Sequence, residues 1–277
     1  MARVEAFIEL KKNKTAMIGL TLIGLLVLLA IIGPWISPHH PLTPDPIHRL
    51  QGPSWKHPFG TDSLGRDILS RVIYGSRISI IIGLIAVSIS LVPGTILGLL
   101  AGFYGRRIDE PIMRFMDIML AFPAILLAIF ITAILGPSLL NTMIAVGIVY
   151  IPHYARIVRS TVLSLKEQLF VQAVKAVGGS NLRIIALHIF PNTIPPIIVY
   201  ATLGMGTAVL QAAALGFLGL GAQPPTPEWG AMLSEGRQYI QNAPHVAAFP
   251  GIAIFTLVLG FNLFGDGLRD VLDPSLR

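Results

Sequence analysis

Two carboxylates stand in apolar surroundings, Asp117 in MRFMDIML and Asp266 in NLFGDGL. Facing each other inside a membrane, such a pair could serve an intramembrane aspartyl protease, one ionised and one protonated. Each lies near the end of its apolar run, where a charge costs far less than the roughly 2.5–3.5 kcal/mol at mid-depth. Salt bridges of Asp117 with Arg114 and of Asp266 with Arg269 are therefore the expected use, and the protease is a remote alternative. His39, His40 and His48 carry ring nitrogens that could take a metal, but histidines in such a proline-rich loop are expected to be solvated, and no metal site is assigned. The chain has neither H-E-x-x-H nor the phosphate-cradling G-x-x-x-x-G-K-[ST]. With no cysteine, it has no disulfide and no thiolate ligand or nucleophile. No catalytic centre is expected, and no nucleotide site.

The elements that must carry these residues are mostly apolar. Of 277 residues, 53% are hydrophobic and 12% charged, about half the charge of a soluble domain; mean hydropathy is +0.73. Apolar runs near the roughly 20 residues that span a bilayer predict about six spans: 16–36, 78–103, 112–135, 139–157, 194–218 and 246–264. The fold class is an all-α polytopic membrane protein. The first run is longer than a signal-peptide core and lacks a small-x-small cleavage site, so it reads as an uncleaved span. The chain divides into residues 1–77, the first span with a long loop, and 78–277, a five-span core.

Net charge is +6. The basic residues concentrate at the N-terminus, at 104–111, at 158–193 and in the tail, Arg3, Lys11, Arg106, Arg159, Lys175, Arg183 and Arg277 among them. This bias places both termini in the cytoplasm. No basic stripe is interleaved with aromatics, so nucleic acid is not an expected partner; membrane lipid is.

Two segments then face outward. In 37–75, a proline-rich part precedes a predicted short surface helix from Ser63, with Leu64, Ile68, Leu69, Val72 and Ile73 on one face. In 221–244 a proline-rich entry again leads into a short helix. Asp62, Arg66, Trp229 and Arg237 are the candidate docking residues for an external protein. Inside the spans, Gln211 with Met205 and Thr207 marks either a translocation pathway or a simple interhelical hydrogen bond, since a buried amide needs a partner.

The segment 165–191, LKEQLFVQAVKAVGGSNLRIIALHIFP, is too short and too polar to span. Leu165, Leu169, Phe170, Ala173, Val174 and Val177 recur at helical spacing opposite most of the polar residues. Gly178-Gly179 should end this helix, Ser180 or Asn181 should cap a second, and Pro191 should close it. The product is a helix–turn–helix elbow, used either as an interfacial helix on lipid headgroups or as a docking surface.

Gln172-Ala173-Val174, Gly178 and the stretch His188 to Pro191 resemble the EAA loop of binding-protein-dependent ABC importers: E-A-A, three residues, G, nine residues, I-x-L-P. Here Gln172 replaces Glu, Val174 the second Ala, His188 the Ile and Phe190 the Leu. HPFGTDSLGRDILSRVIYGSRISI, DIMLAFPAILLAI, YARIVRSTVLSL, GFLGLGAQPPTPEWGAML and FNLFGDGLRDVLDP resemble the second (C-type) permease of the dipeptide/oligopeptide/nickel family. The resemblance implies a type I importer permease fold and a heterodimer with a homologous permease. It implies two ATPase subunits that bind ATP and Mg2+, and an extracytoplasmic substrate-binding protein. It assigns ATPase coupling to Gln172, Ala173, Lys175, Gly178, Ser180, Asn181, His188 and Pro191. The expected cargo is a di- or oligopeptide, with nickel or another metal chelate as the alternative.

Overall fold

A computed structural model describes residues 9–272. Arg3 and Arg277, counted among the basic residues, lie outside the described residues. The described part is helical apart from its loops. The helices are α1 (Lys14–Ile36), α2 (Ile68–Tyr104), α3 (Arg106–Leu120), α4 (Ala124–Leu135), α5 (Leu139–Lys166), α6 (Leu169–Ala176), α7 (Asn181–Ile184), α8 (Phe190–Phe217), α9 (Trp229–Gly236) and α10 (His245–Leu272).

By length and apolarity, α1, α2, the continuous run 181–217 and α10 can each cross a membrane. The expected third span is not straight. It is α3 and α4, bent by 92°, and the break falls at Ala121–Pro123, where the residue before a proline is pushed out of helical geometry. The expected fourth span is α5, 28 residues long, its apolarity lowered by Asn141, His153, Arg156 and Arg159. The surface helix expected from Ser63 is absent. Ile68 instead opens the 37-residue α2, capped by Asp67, whose carboxylate accepts the Ser70 N–H. Residue 77 therefore falls inside a helix.

Packing rests on small residues. Gly94, Gly98 and Gly102, one per turn of α2, lie against Tyr154, Val158 and Val162 of α5. The matched four-residue spacings show that α2 and α5 run parallel, and missing side chains let the backbones approach closely, as in small-xxx-small membrane pairs. α1 lies antiparallel on α10, with Gly19 beside the Gly260 carbonyl. Asp109 pairs with Arg159 and Asp117 with Arg156, tying α3 to α5. The partner of Asp117 is thus Arg156 rather than Arg114, because α5 passes alongside.

Candidate functional site

The elbow stands at the end of the bundle where α5 stops. α6 ends in a paired turn: the Gly179 N–H donates to the Val174 carbonyl at 2.9 Å and the Gly178 N–H to Lys175 at 3.1 Å. This satisfies carbonyls that a helix end otherwise leaves without partners. Gly178 takes φ +82° with open space around it, whereas a Cβ on Gly179 would meet the Val174 carbonyl oxygen at 2.8 Å. Left-handed backbone fixes the first position and contact the second. Ser180 then caps α7, its hydroxyl accepting the Arg183 N–H at 3.4 Å. Pro191 does not end the second helix. A widened π turn, Ile185–Ile189, sits just before it and runs into α8, giving the proline ring room beside a carbonyl it would otherwise strike.

The faces of α6 differ from the sequence expectation. Val171 is buried and Val174 packs beside it, against Val158, Val162, Ile184 and Ile189. Leu169 is 82% exposed and Val177 85%, with Phe170 and Leu182 also exposed. Most of the apolar stripe thus points away from the protein. Gln172 is held close, its amide donating to the Glu167 carbonyl at 3.0 Å. Gln172, Lys175 and Asn181 line one groove of about 560 Å³ with Phe103, Tyr104, Lys166 and Glu167. Ala173 is exposed on α6. His188 lies within the π turn, and its carbonyl accepts from the Asn192 side-chain amide at 2.7 Å.

Between the ends, Gln211 donates to the Tyr150 hydroxyl at 3.3 Å, joining α8 to α5. Thr207 lines a cavity of about 70 Å³ with Ser90, Tyr150, Tyr154 and Tyr200, too small for a dipeptide. Met205 turns elsewhere, toward Gly83 of α2. The three tyrosines escaped the sequence reading because aromatic residues in apolar helices carry no positional signal of their own.

At the opposite end, the two outer segments form one unit. Arg66 donates to Asp62 at 2.6 Å and to Glu235 at 2.7 Å. Arg71 lies 3.5 Å from both acids. Trp229 is fully buried, its indole N–H donating to the Val72 carbonyl at 3.0 Å. Glu228 caps α9, its carboxylate accepting the Gly230 and Ala231 N–H groups at 2.8 Å each. Burial pushes its pKa up against the opposing pull of those two bonds. Asp62, Arg66 and Trp229 are therefore not docking contacts. They are interior groups that hold the rim together, since charges and an indole N–H removed from water need fixed partners. Arg237 is exposed and lies over the Phe217 ring at 5.5 Å.

Residues 94–277 match the family described as "Binding-protein-dependent transport system inner membrane component". The chain belongs to this family. Residues 3–53 match the N-terminal transmembrane domain of oligopeptide transport permease C. The permease is 58% identical over 273 residues to the dipeptide transport system permease protein DppC of Alkalihalophilus pseudofirmus, covering 99% of this chain and 90% of that one. It is 50% identical to the di/tripeptide permease DppC of Pseudomonas aeruginosa, covering 96% and 89%. To the glutathione transport permease GsiD of Escherichia coli it is 48% identical, covering 96% and 88%. Its fold matches the inward-facing MetNI methionine ABC transporter with a TM-score of 0.59, at 20% identity, over 74% of this chain and 97% of that one. The permease is a multi-pass inner-membrane component of a binding-protein-dependent transport system. The aspartyl-protease alternative is thereby overturned.

Proposed function

We propose that this permease forms half of the transmembrane pathway for di- and oligopeptides, as a heterodimer with a homologous permease. Two ATPase subunits carry ATP and Mg2+ on the cytoplasmic side, where both termini lie. The observation that carries the coupling role is the outward-turned apolar set on the elbow, Leu169, Phe170, Val177 and Leu182. It surrounds a turn fixed by the left-handed Gly178 and the close contact at Gly179. An apolar surface rimmed by polar groups is a mark of an interaction site, and a groove on an ATPase is its proposed seat. Gln172, Ala173, Lys175, Gly178, Ser180, Asn181, His188 and Pro191 shape or flank that surface.

In this reading ATP closes the ATPase pair, the elbows move with it, and the spans turn outward to receive cargo. Hydrolysis resets them. Cargo and ATP then bias one element, so their coupling in binding free energy is reciprocal. The peptide assignment is supported by the dipeptide, di/tripeptide and glutathione names of the relatives; none of these three names supports a metal chelate. The rim around Arg237 would receive the binding protein, and Thr207 and Gln211 belong to the pathway side of α8.

The test is co-purification from native membranes in mild detergent, then reconstitution into vesicles. A second permease, two ATPases and peptide-stimulated ATP hydrolysis are expected. A chain that purifies alone, or hydrolysis indifferent to peptides, would overturn the reading.

A further inference from the structure

His39, expected as a solvated loop residue, is partly buried beside two groups the sequence did not connect with it. His57 and Asp67 are both buried. The His57 Nδ1 lies 2.9 Å from Asp67 Oδ1, and the His39 Nδ1 lies 3.7 Å from the same oxygen. The two imidazoles stack at 4.6 Å between centroids. One potential ligand atom from each residue falls within 4.8 Å of the other two.

Hydrogen bonding explains only part of this. Asp67 divides its oxygens: Oδ2 accepts the Ser70 N–H at 2.8 Å and the Ser70 hydroxyl at 2.6 Å. Oδ1 is left to the histidines, and one N–H, from His57, satisfies it. The His39 Nδ1, whose ring is turned to the same oxygen, and the His57 Nε2 on the far side of its ring are both buried at the atom and have no hydrogen-bond partner. A buried nitrogen left so costs free energy. A metal ion between the three would engage all of them. Ligands about 2.0–2.1 Å from a tetrahedral ion stand about 3.4 Å apart, a spacing that the 2.9 and 3.7 Å separations bracket.

We propose that His39, His57 and Asp67 form a binding site for one divalent transition-metal ion, zinc foremost. Two imidazoles and one carboxylate with a fourth position open suit zinc and its neighbours better than magnesium or calcium, which take oxygen ligands. Ser70 supports the site from behind: it fixes the carboxylate, and its Oγ accepts the backbone N–H of His39 at 3.2 Å, holding that loop in place. His39 is the adjustable ligand, with a third of its side chain exposed. The ion would join the chain just past α1, the loop at His57 and the N-terminus of α2.

The full-length permease, purified with its accompanying subunits, is stripped with a chelator and titrated with Co2+ and, separately, Zn2+. Wild type is expected to show the visible absorption of four-coordinate cobalt, and a rise in unfolding temperature with Zn2+. His39→Ala leaves the Asp67 cap of α2 in place, so it should fold. It should bind on the order of 100-fold more weakly or worse, since even outer-shell changes cost roughly 10–100-fold, and it should lose both signals. His40→Ala, an exposed neighbour, should keep them. Equal Co2+ spectra and equal Zn2+ stabilisation in wild type and His39→Ala would overturn the site, as would no binding by wild type.

Discussion

Gly98 and Val158 touch backbone to side chain: a Cβ on Gly98 would lie 2.7 Å from the Val158 Cβ and 2.6 Å from the Ala155 carbonyl oxygen. The same relation recurs one turn before and one turn after. Gly98→Leu therefore has no small adjustment available, because the atoms it meets include backbone. Overpacking costs about 1–3 kcal/mol where side chains can move, and the cost here should reach or pass the upper end. Thermal unfolding of the detergent-solubilised protein measures it; an unchanged midpoint would show that α2 and α5 are not interlocked.

The two glycines of the elbow should respond differently. Gly178→Asn keeps a residue that tolerates left-handed backbone, in open space, and should retain transport. Gly179→Val drives a side chain into the Val174 carbonyl. It should leave the protein in the membrane while removing most ATPase subunits from the purified complex. Equal yields of ATPase from both variants would contradict the coupling role.

Leu169→Asp and Val177→Ser remove apolar groups that touch little within the chain. Surface changes of this kind shift stability by no more than about 0.5 kcal/mol. Co-purified ATPase and peptide-stimulated hydrolysis should nevertheless fall at least tenfold, roughly the loss of one 1.4 kcal/mol contact. A fall in unfolding temperature with intact assembly would reassign both residues to internal packing.

At the rim, Arg66→Met strands Asp62 and loosens Glu235. Removing one partner of a buried ion pair costs about 3–5 kcal/mol. Glu235 is partly exposed and Arg71 remains near both acids, so the lower end is expected. Arg237→Ala should leave stability within about 0.5 kcal/mol and weaken binding-protein affinity instead, measured by titration onto the reconstituted permease.

Glu228 gives the rim a pH dependence. Its folded pKa is raised from an ordinary value of 4.5, by burial. The folded state then holds the proton more tightly than the unfolded one. This contribution is fully present below the unfolded value and is lost as pH rises through the folded one. Glu228→Gln should flatten that part of the stability profile. An identical slope in both proteins, followed by thermal unfolding from pH 4.5 upward, would place the titration elsewhere.

Much of this was legible because membrane helices announce themselves by length and composition, and the Gly178-Gly179 turn and Ser180 cap by local chemistry. The orientation of α6 was not legible. Helical periodicity identifies an apolar face without saying whether it meets the protein's own core, and here Leu169 and Val177 look outward. The burial of Asp62 and Arg66 was hidden because Glu235 lies far along the chain. Ile68 as the start of a single 37-residue helix was obscured because Arg71 and Arg77 break the apolar run before residue 78, until Asp62 and Glu235 are seen beside Arg71. The convergence of His39 and His57 on Asp67 depends on the loop's path, which proline-rich sequence does not specify.

The glycine seam between α2 and α5 also has a mechanical meaning. One helix begins in the charged rim and the other runs into the elbow. Interlocked over the three turns at Gly94, Gly98 and Gly102, they have little slack over that length to absorb a displacement before it passes from one to the other. On the proposed coupling, the length over which the two helices interlock would move as one body, so the stroke there would be set by the subunits that push and not by sliding between helices.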